Sequence, residues 1–358
     1  MPLPVTPPLK PMLAKPVAGF DKLKRDDLVF EAKWDGFRCI VFRDGDDIVL
    51  GSRNERPLTR YFPELLDPLR ACLPDQAVVD GELIVSIDDR LEFDSLQQRI
   101  HPAESRVNML AEKTPAQFVA FDALAVGDHS LMDEPFAERR IALETLAKKF
   151  ADPIFLAPAT TDVELAKKWF VDFEGAGLDG LIAKPPDEPY TPNKRSQMKL
   201  KHVRSADVVV AGFRMHKSGD GIGSLLVGLW DPKGNLQHMG VTTSFKATQR
   251  AELLAELEPE VPKDLSNHPW ASWLDAQAHA ESRLPGGQSR WSVGKDSTWV
   301  PLDCSRVIEI KYGSTLNGRF RATTQLLRWR PDRDPASCTF DQLEEPVSMG
   351  VGAVLTAK

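Results

Sequence analysis

The chain has 358 residues, 42% apolar and 27% charged, with a formal net charge of −7. Its length exceeds one ordinary core and predicts two domains, and its balance of residues is that of a globular protein rather than a disordered or fibrous one. The net charge by itself argues against a nucleic-acid binder, no apolar run is long enough to span a bilayer, and the opening MPLPVTPPLKPMLAKP lacks the apolar core of a secretion signal, so a cytoplasmic setting is expected. The four cysteines, Cys39, Cys72, Cys304 and Cys338, form no Cys-x-x-Cys pair, and neither a zinc knuckle nor a disulfide framework is expected.

The proline-rich first sixteen residues read as extended chain. Val29-Phe30-Glu31-Ala32-Lys33 then alternates, placing Glu31 and Lys33 on one face of a strand and Phe30 and Ala32 on the other. Asp35-Gly36 is a two-residue turn signal and Phe37–Phe42 reads as the return strand, so a hairpin carrying Lys33 is predicted. Up to Arg204, strands expected at 48–52, 78–85, 117–126, 178–184 and 197–203 alternate with helices expected at 62–72, 93–100, 136–150 and 163–176. The third helix shows an apolar stripe at Phe136, Ile141, Leu143, Leu146 and Phe150, and the fourth stops at Gly175-Ala176-Gly177. Beyond Arg204 the texture becomes short strands at 208–213, 224–230, 238–243 and 307–311, interrupted by a helix at 247–257. That pattern fits a small barrel, with the OB-fold as the leading candidate. A weak loop is expected at 284–289, and the domain boundary near Ser205-Ala206-Asp207.

Charge is patterned locally. Residues 191–204 carry Lys194, Arg195, Lys199, Lys201 and Arg204 without an acid, and residues 311–333 carry Lys311, Arg319, Arg321, Arg328, Arg330 and Arg333 against Asp332 alone. Two basic stretches on an acidic chain suit a localised phosphate-binding surface, although a solvated face would look the same. Five strand regions also put polar groups where a core would prefer apolar ones. They are Lys33 to Arg38, Ser52-Arg53-Asn54, Asp80-Gly81-Glu82, Phe121-Asp122, and Lys199-Leu200-Lys201.

In order and content these five resemble motifs I, III, IIIa, IV and V of the ATP-dependent DNA ligases, within the covalent nucleotidyltransferase superfamily. The segment Leu327-Arg328-Trp329-Arg330-Pro331-Asp332-Arg333 resembles the closing Arg-x-Asp-Lys element, with Arg333 in the lysine's place. Within that family the chain resembles the compact stand-alone bacterial type and is similar to actinobacterial ligase C. The fold this implies is α+β: a nucleotidyltransferase (adenylation) domain of antiparallel sheets and flanking helices at 1–204, an OB-fold β-barrel at 205–345 and a tail at 346–358.

The resemblance also implies roles. Lys33 would attack the α-phosphate of ATP to form a lysyl–AMP. A lysine amine in water has a pKa of about 10.4, so attack near neutrality needs neighbours that favour the neutral form. Lys199 and Lys201 would supply them and hold the α-phosphate. Glu82 and Asp179 would hold Mg²⁺, for which Mn²⁺ can substitute. Glu31 would meet the adenine edge, Phe121 would stack on the ring, and Arg38 would contact ribose or phosphate. Arg53 and Arg195 would engage the 5′-phosphate of a nick or the nucleotide phosphates, and Arg330, Asp332 and Arg333 would orient pyrophosphate during the first step. Two departures stand out: Asp179-Gly180 replaces the usual Glu-Gly, and Gln197 sits where the fifth motif often has tryptophan. The reaction implied is sealing of 3′-hydroxyl/5′-phosphate nicks in duplex DNA during repair, by a monomer, with any nuclease or polymerase supplied by separate chains. Within the superfamily the alternatives are an RNA ligase or a capping guanylyltransferase; outside it, a non-catalytic nucleic-acid-binding OB protein.

Overall fold

The computed structural model describes residues 2–271, 298–316, 318–344 and 346–357, and the loop expected at 284–289 lies outside them. The chain divides into two compact units, one of Met1–Lys201 with Pro346–Lys358 and one of His202–Glu345. Both sequence-based boundaries move. Arg204 opens the long first strand of the second unit, Arg204–Met215, so the division falls ahead of Ser205. Residues 346–358, expected as a tail, belong to the first unit: a short helix, Val351–Leu355, buries Val351 and Val354 in its core.

Among the described residues the first unit contains two large sheets, besides a two-stranded ribbon of Ser86–Ile87 with Arg90–Leu91. One has the order Leu13–Val17, Arg195–Leu200, Leu181–Lys184, Val29–Ala32, Ala159–Thr160. The other runs Ile154–Leu156, Gln117–Val126, Gln76–Ile84, Phe37–Asp44, Asp47–Ser52, with His129–Ser130 paired onto Gln117–Val126. Pairing is antiparallel except for Leu13–Val17 with Arg195–Leu200 and Ile154–Leu156 with Gln117–Val126. The Pro-rich start is therefore partly a strand, since Leu13–Val17 takes the edge position, where a proline costs no ladder bond. Each sheet has its own apolar cluster, one around Leu50, Phe62 and Phe118, the other around Phe30, Trp169 and Leu181.

The predicted hairpin at Asp35-Gly36 is not formed. Val29–Ala32 and Phe37–Asp44 belong to different sheets, and residues 33–36 carry the chain from one to the other. Glycine is required at 36 for close approach: a Cβ there would run into the carbonyl oxygen of Leu83 and the side chain of Glu82. Lys33 is thus held between two sheets. The helix Phe136–Ala147 turns Phe136 and Leu143 inward as expected, but Ile141 is 57% exposed. Its place on the inner face is taken by Arg139, fully buried against Asp122 with Nε–Oδ1 at 2.8 Å. The helix at 163–172 continues as a 3₁₀ turn that ends on Gly177 in the left-handed region, φ +92°. Glu104–Lys113 is a further helix that the sequence reading passed over.

The second unit is a closed barrel with strand order Arg204–Met215, Ile222–Trp230, Leu236–Thr243, Thr324–Trp329, Val300–Tyr312. With the helix Ala247–Leu257, where the sequence placed it, this is the OB architecture. Closure depends on Thr324–Trp329, which pairs in parallel with Leu236–Thr243 and antiparallel with Val300–Tyr312. Half of that strand is exposed and it lacks apolar alternation, so it carries no strand signal in sequence. Among the described residues no helix is long and apolar enough to cross a membrane.

Candidate active site

Strand register explains how Lys33 meets residues far along the chain. Ala32 pairs with Leu181, and Leu181 with Leu200, so positions 33, 180 and 201 follow at one end of three adjacent strands. Gly180, at φ +126°, lies so close to Leu200 that a Cβ would strike its carbonyl oxygen. Lys33 N donates to Gly180 O at 2.9 Å, and Lys33 Nζ stands 2.8 Å from Asp179 Oδ2. The same oxygen accepts from Lys201 Nζ. Burial acts to raise the Asp179 carboxyl, but Lys33 and Lys201 outweigh it and hold its pKa below the ordinary value. Lys199, two residues before Lys201 on the same face, is shifted down by burial and then by Lys201, Lys33, Arg195 and Arg53.

A cavity of about 200 Å³ opens beside Lys33, its wall shared by Glu31, Arg38, Arg53, Glu82, Phe121, Arg195 and Lys199. Seven of the ten residues that the sequence assigned to the first unit's site therefore join Lys33 around one space, and Asp179 and Lys201 reach it through the Lys33 ion pair. From the second sheet, Arg38 and Glu82 stand opposite each other in the ladder. The Arg38 guanidinium is held two-pronged by Asp80, Nε–Oδ1 and Nη2–Oδ2 both at 2.6 Å, and lies 4.4 Å from the centre of the Phe121 ring. Burial would lower the Arg38 pKa, but the Asp80 charge prevails and keeps it raised. Asp80, fully buried, also accepts from Tyr190 Oη at 2.5 Å, so it anchors Arg38. Burial pushes Glu82 up to about 7 against the opposing charges of Arg38 and Lys33.

At the Glu31 end, the side chain is 2% exposed and both carboxylate oxygens are engaged, Oε2 by Lys184 Nζ at 2.6 Å and Oε1 by Arg140 Nη1 at 3.3 Å. Lys184 also donates to Phe121 O at 3.0 Å, and burial lowers its pKa against the pull of Glu31. Lys184, Trp34 and Gln197 line the cavity but were given no role by the sequence reading. The signal for Lys184 is a charge closing the apolar run Leu181-Ile182-Ala183, a pattern that does not name its partner.

Arg330, Asp332 and Arg333 lie in the second unit. Arg330 is bound to Asp207 by Nη1 at 2.9 Å and to Asp332 by Nη2 at 2.9 Å; Arg333 Nε is 3.6 Å from Asp207. Arg328 pairs with Glu309 at 2.6 Å, so part of this basic stretch is neutralised on its own barrel.

A family model described as "ATP dependent DNA ligase domain" matches residues 11–202, and one described as "ATP dependent DNA ligase C terminal region" matches residues 218–333. The chain is 52% identical to DNA ligase C of Mycobacterium tuberculosis over 99% of both sequences, and 52% identical to DNA ligase C2 of Mycolicibacterium smegmatis over 97% of both. Among solved structures, a chain described under "Structure-function analysis of Lig E DNA ligases" aligns with TM-score 0.56 at 19% identity, covering 90% of this chain and 99% of that one, a likeness of fold. Sequence motifs, two-sheet cleft, barrel and relatives agree: the chain belongs to the ATP-dependent DNA ligases, of the actinobacterial ligase C type.

Proposed function

We propose that Lys33 is the residue that carries AMP, and that this ATP-dependent ligase seals nicks in duplex DNA in three transfers. In the first, Lys33 Nζ bonds to the α-phosphorus of ATP and the bond to the β-phosphate breaks, releasing pyrophosphate. AMP then passes to the 5′-phosphate at the nick, and the adjoining 3′-hydroxyl displaces it to close the strand. The observation that carries this reading is the convergence of Lys33, Lys199, Lys201, Asp179 and Glu82 from four strand ends onto one cleft. Asp179 Oδ2 orients the amine, while Lys199 and Lys201 stand ready to balance charge on the α-phosphate.

Phe121 offers an apolar ring to the adenine, and Glu31, fixed by Lys184 and Arg140, offers a carboxylate to its exocyclic amine. Arg38, held by Asp80, and the cavity arginines Arg53 and Arg195 are placed for sugar and phosphate oxygens.

The donor set suits Mg²⁺. Glu82 and Asp179 are hard oxygen donors coupled electrostatically to Lys33. Among the described residues no cluster of three or more His, Cys, Asp or Glu could hold an ion alone, as fits an ion that completes its shell with water and phosphate oxygens. Glu82 and Asp179 would hold it, and the ion would neutralise phosphate charge; Mn²⁺ would take the same place. A monomer acting on nicked duplex completes the proposal. A gel assay on a nicked duplex tests it, with ATP, GTP and NAD⁺ offered separately and an RNA nick in parallel. Sealing of the DNA nick with ATP alone is expected; sealing with GTP or NAD⁺ in its place, or of the RNA nick alone, would contradict it.

A further inference from the structure

The strand Arg195–Leu200 alternates sharply. Met198 and Leu200 join the apolar core, while Arg195, Gln197 and Lys199 line the cavity. Gln197 is 3% exposed, and its Nε2 has no hydrogen-bond partner among the described residues. In the same cavity wall Trp34, 4% exposed, has an Nε1 in the same condition. A buried donor left unsatisfied costs about 1–3 kcal/mol, which an apolar side chain of equal volume would avoid. Here that cost is sustained between two cations. Lys199 is depressed by burial and by four neighbouring positive groups, so this corner of the cleft carries more positive charge than its own side chains balance. An anionic oxygen is the group that completes an amide donor in such surroundings.

We propose that Gln197 Nε2 donates a hydrogen bond to a phosphate oxygen held between Arg195 and Lys199, making Gln197 a substrate-binding residue. The inference rests on the nucleotidyl-transfer reading above. The tryptophan often found here in similar enzymes would shield the cleft; glutamine at this place makes a polar contact instead. The phosphate belongs to the nucleotide or to the DNA end, and the chemistry recognised, a non-bridging phosphate oxygen, is common to both.

The test uses the full chain with Gln197→Met, which keeps volume and loses the donor, and Gln197→Glu, which keeps shape and adds a negative charge. Two reactions are followed: AMP transfer from labelled ATP to protein, and sealing of a pre-adenylated nick without ATP. Gln197→Met is expected to melt at or above the wild-type temperature without ligand, because a buried unsatisfied donor is gone. Its KM should rise about tenfold, and that of Gln197→Glu further, with kcat within about threefold. A rise with ATP only assigns the oxygen to the triphosphate tail, with the nick only to the DNA phosphate, and in both to the AMP phosphate they share. KM values within about twofold of wild type in both reactions, for whichever variants fold, overturn the proposal and make Gln197 a packing residue. Wild-type protein that takes no label from ATP would instead contradict the nucleotidyl-transfer reading.

Discussion

Lys33 Nζ rests 2.8 Å from Asp179 Oδ2, and Lys201 Nζ reaches the same oxygen, so one carboxylate gathers the two amines. Removing that charge leaves Lys33, Lys199 and Lys201 repelling one another where the nucleophile must be aimed. Asp179→Asn should slow AMP transfer from ATP about 100-fold or more, in rapid-quench assays at saturating ATP. Asp179→Glu, which keeps the charge one methylene farther out, should stay within about tenfold of wild type.

Arg38 and Asp80 make the second relationship on which the cleft depends. Asp80 is fully buried and accepts two bonds from Arg38 and one from Tyr190. Taking away one member leaves the others without a counterpart in a dry setting. Asp80→Ala should therefore lower unfolding free energy by about 3–5 kcal/mol, read from urea melts. Tyr190→Phe, which removes one neutral donor, should lower it by about 1 kcal/mol.

Glu82 gives a pH signature. Its pKa rises from the ordinary 4.5 to about 7 through burial, so between these values the folded chain holds a proton there that the unfolded chain has lost. This group's contribution to stability thus falls as pH rises through that window and is lowest above about 7. Glu82→Gln abolishes the titration. Its melting temperature without nucleotide should exceed wild type at pH 8, and the gap should close as pH approaches 4.5. A gap that widens toward acid would reverse the assignment.

The C-terminal helix is the fourth test. Val351 N donates to Asp89 O and Gly352 N to Asp89 Oδ1, both at 2.8 Å, while Val354 is fully buried. Asp89 itself adopts φ +59°, a conformation aspartate tolerates better than alanine. Val354→Ala should cost about 2 kcal/mol and Asp89→Ala about 1–2 kcal/mol in thermal or urea melts. A solvated tail would show neither loss.

Much of this cleft was legible because charged residues interrupt apolar alternation. Lys33, Glu82, Lys199 and Lys201 each sit on a strand or one residue past its end, where alternate residues enter a core, and side-chain period alone puts them on the other face. What stayed hidden depends on partners distant in the chain. Asp35-Gly36 has the chemistry of a hairpin turn, yet the glycine is needed because Leu83 packs against it, and nothing local distinguishes the two uses. Asp80 and Lys184 look like exposed strand charges until Arg38, Tyr190 and Glu31 are brought beside them. Arg139 displaces Ile141 from the inner face of its helix because Asp122 waits there. The helix Val351–Leu355 has too few residues to show a period.

The central claim concerns the amine of Lys33. Incubating the protein with ATP labelled at the α-phosphate and a divalent cation, then resolving it under denaturing conditions, should give labelled wild-type protein and unlabelled Lys33→Ala. The same variant should still join pre-adenylated nicks to a measurable extent, because the nucleotide is already on the DNA. Lys33→Ala protein that takes label as fast as wild type would contradict the account.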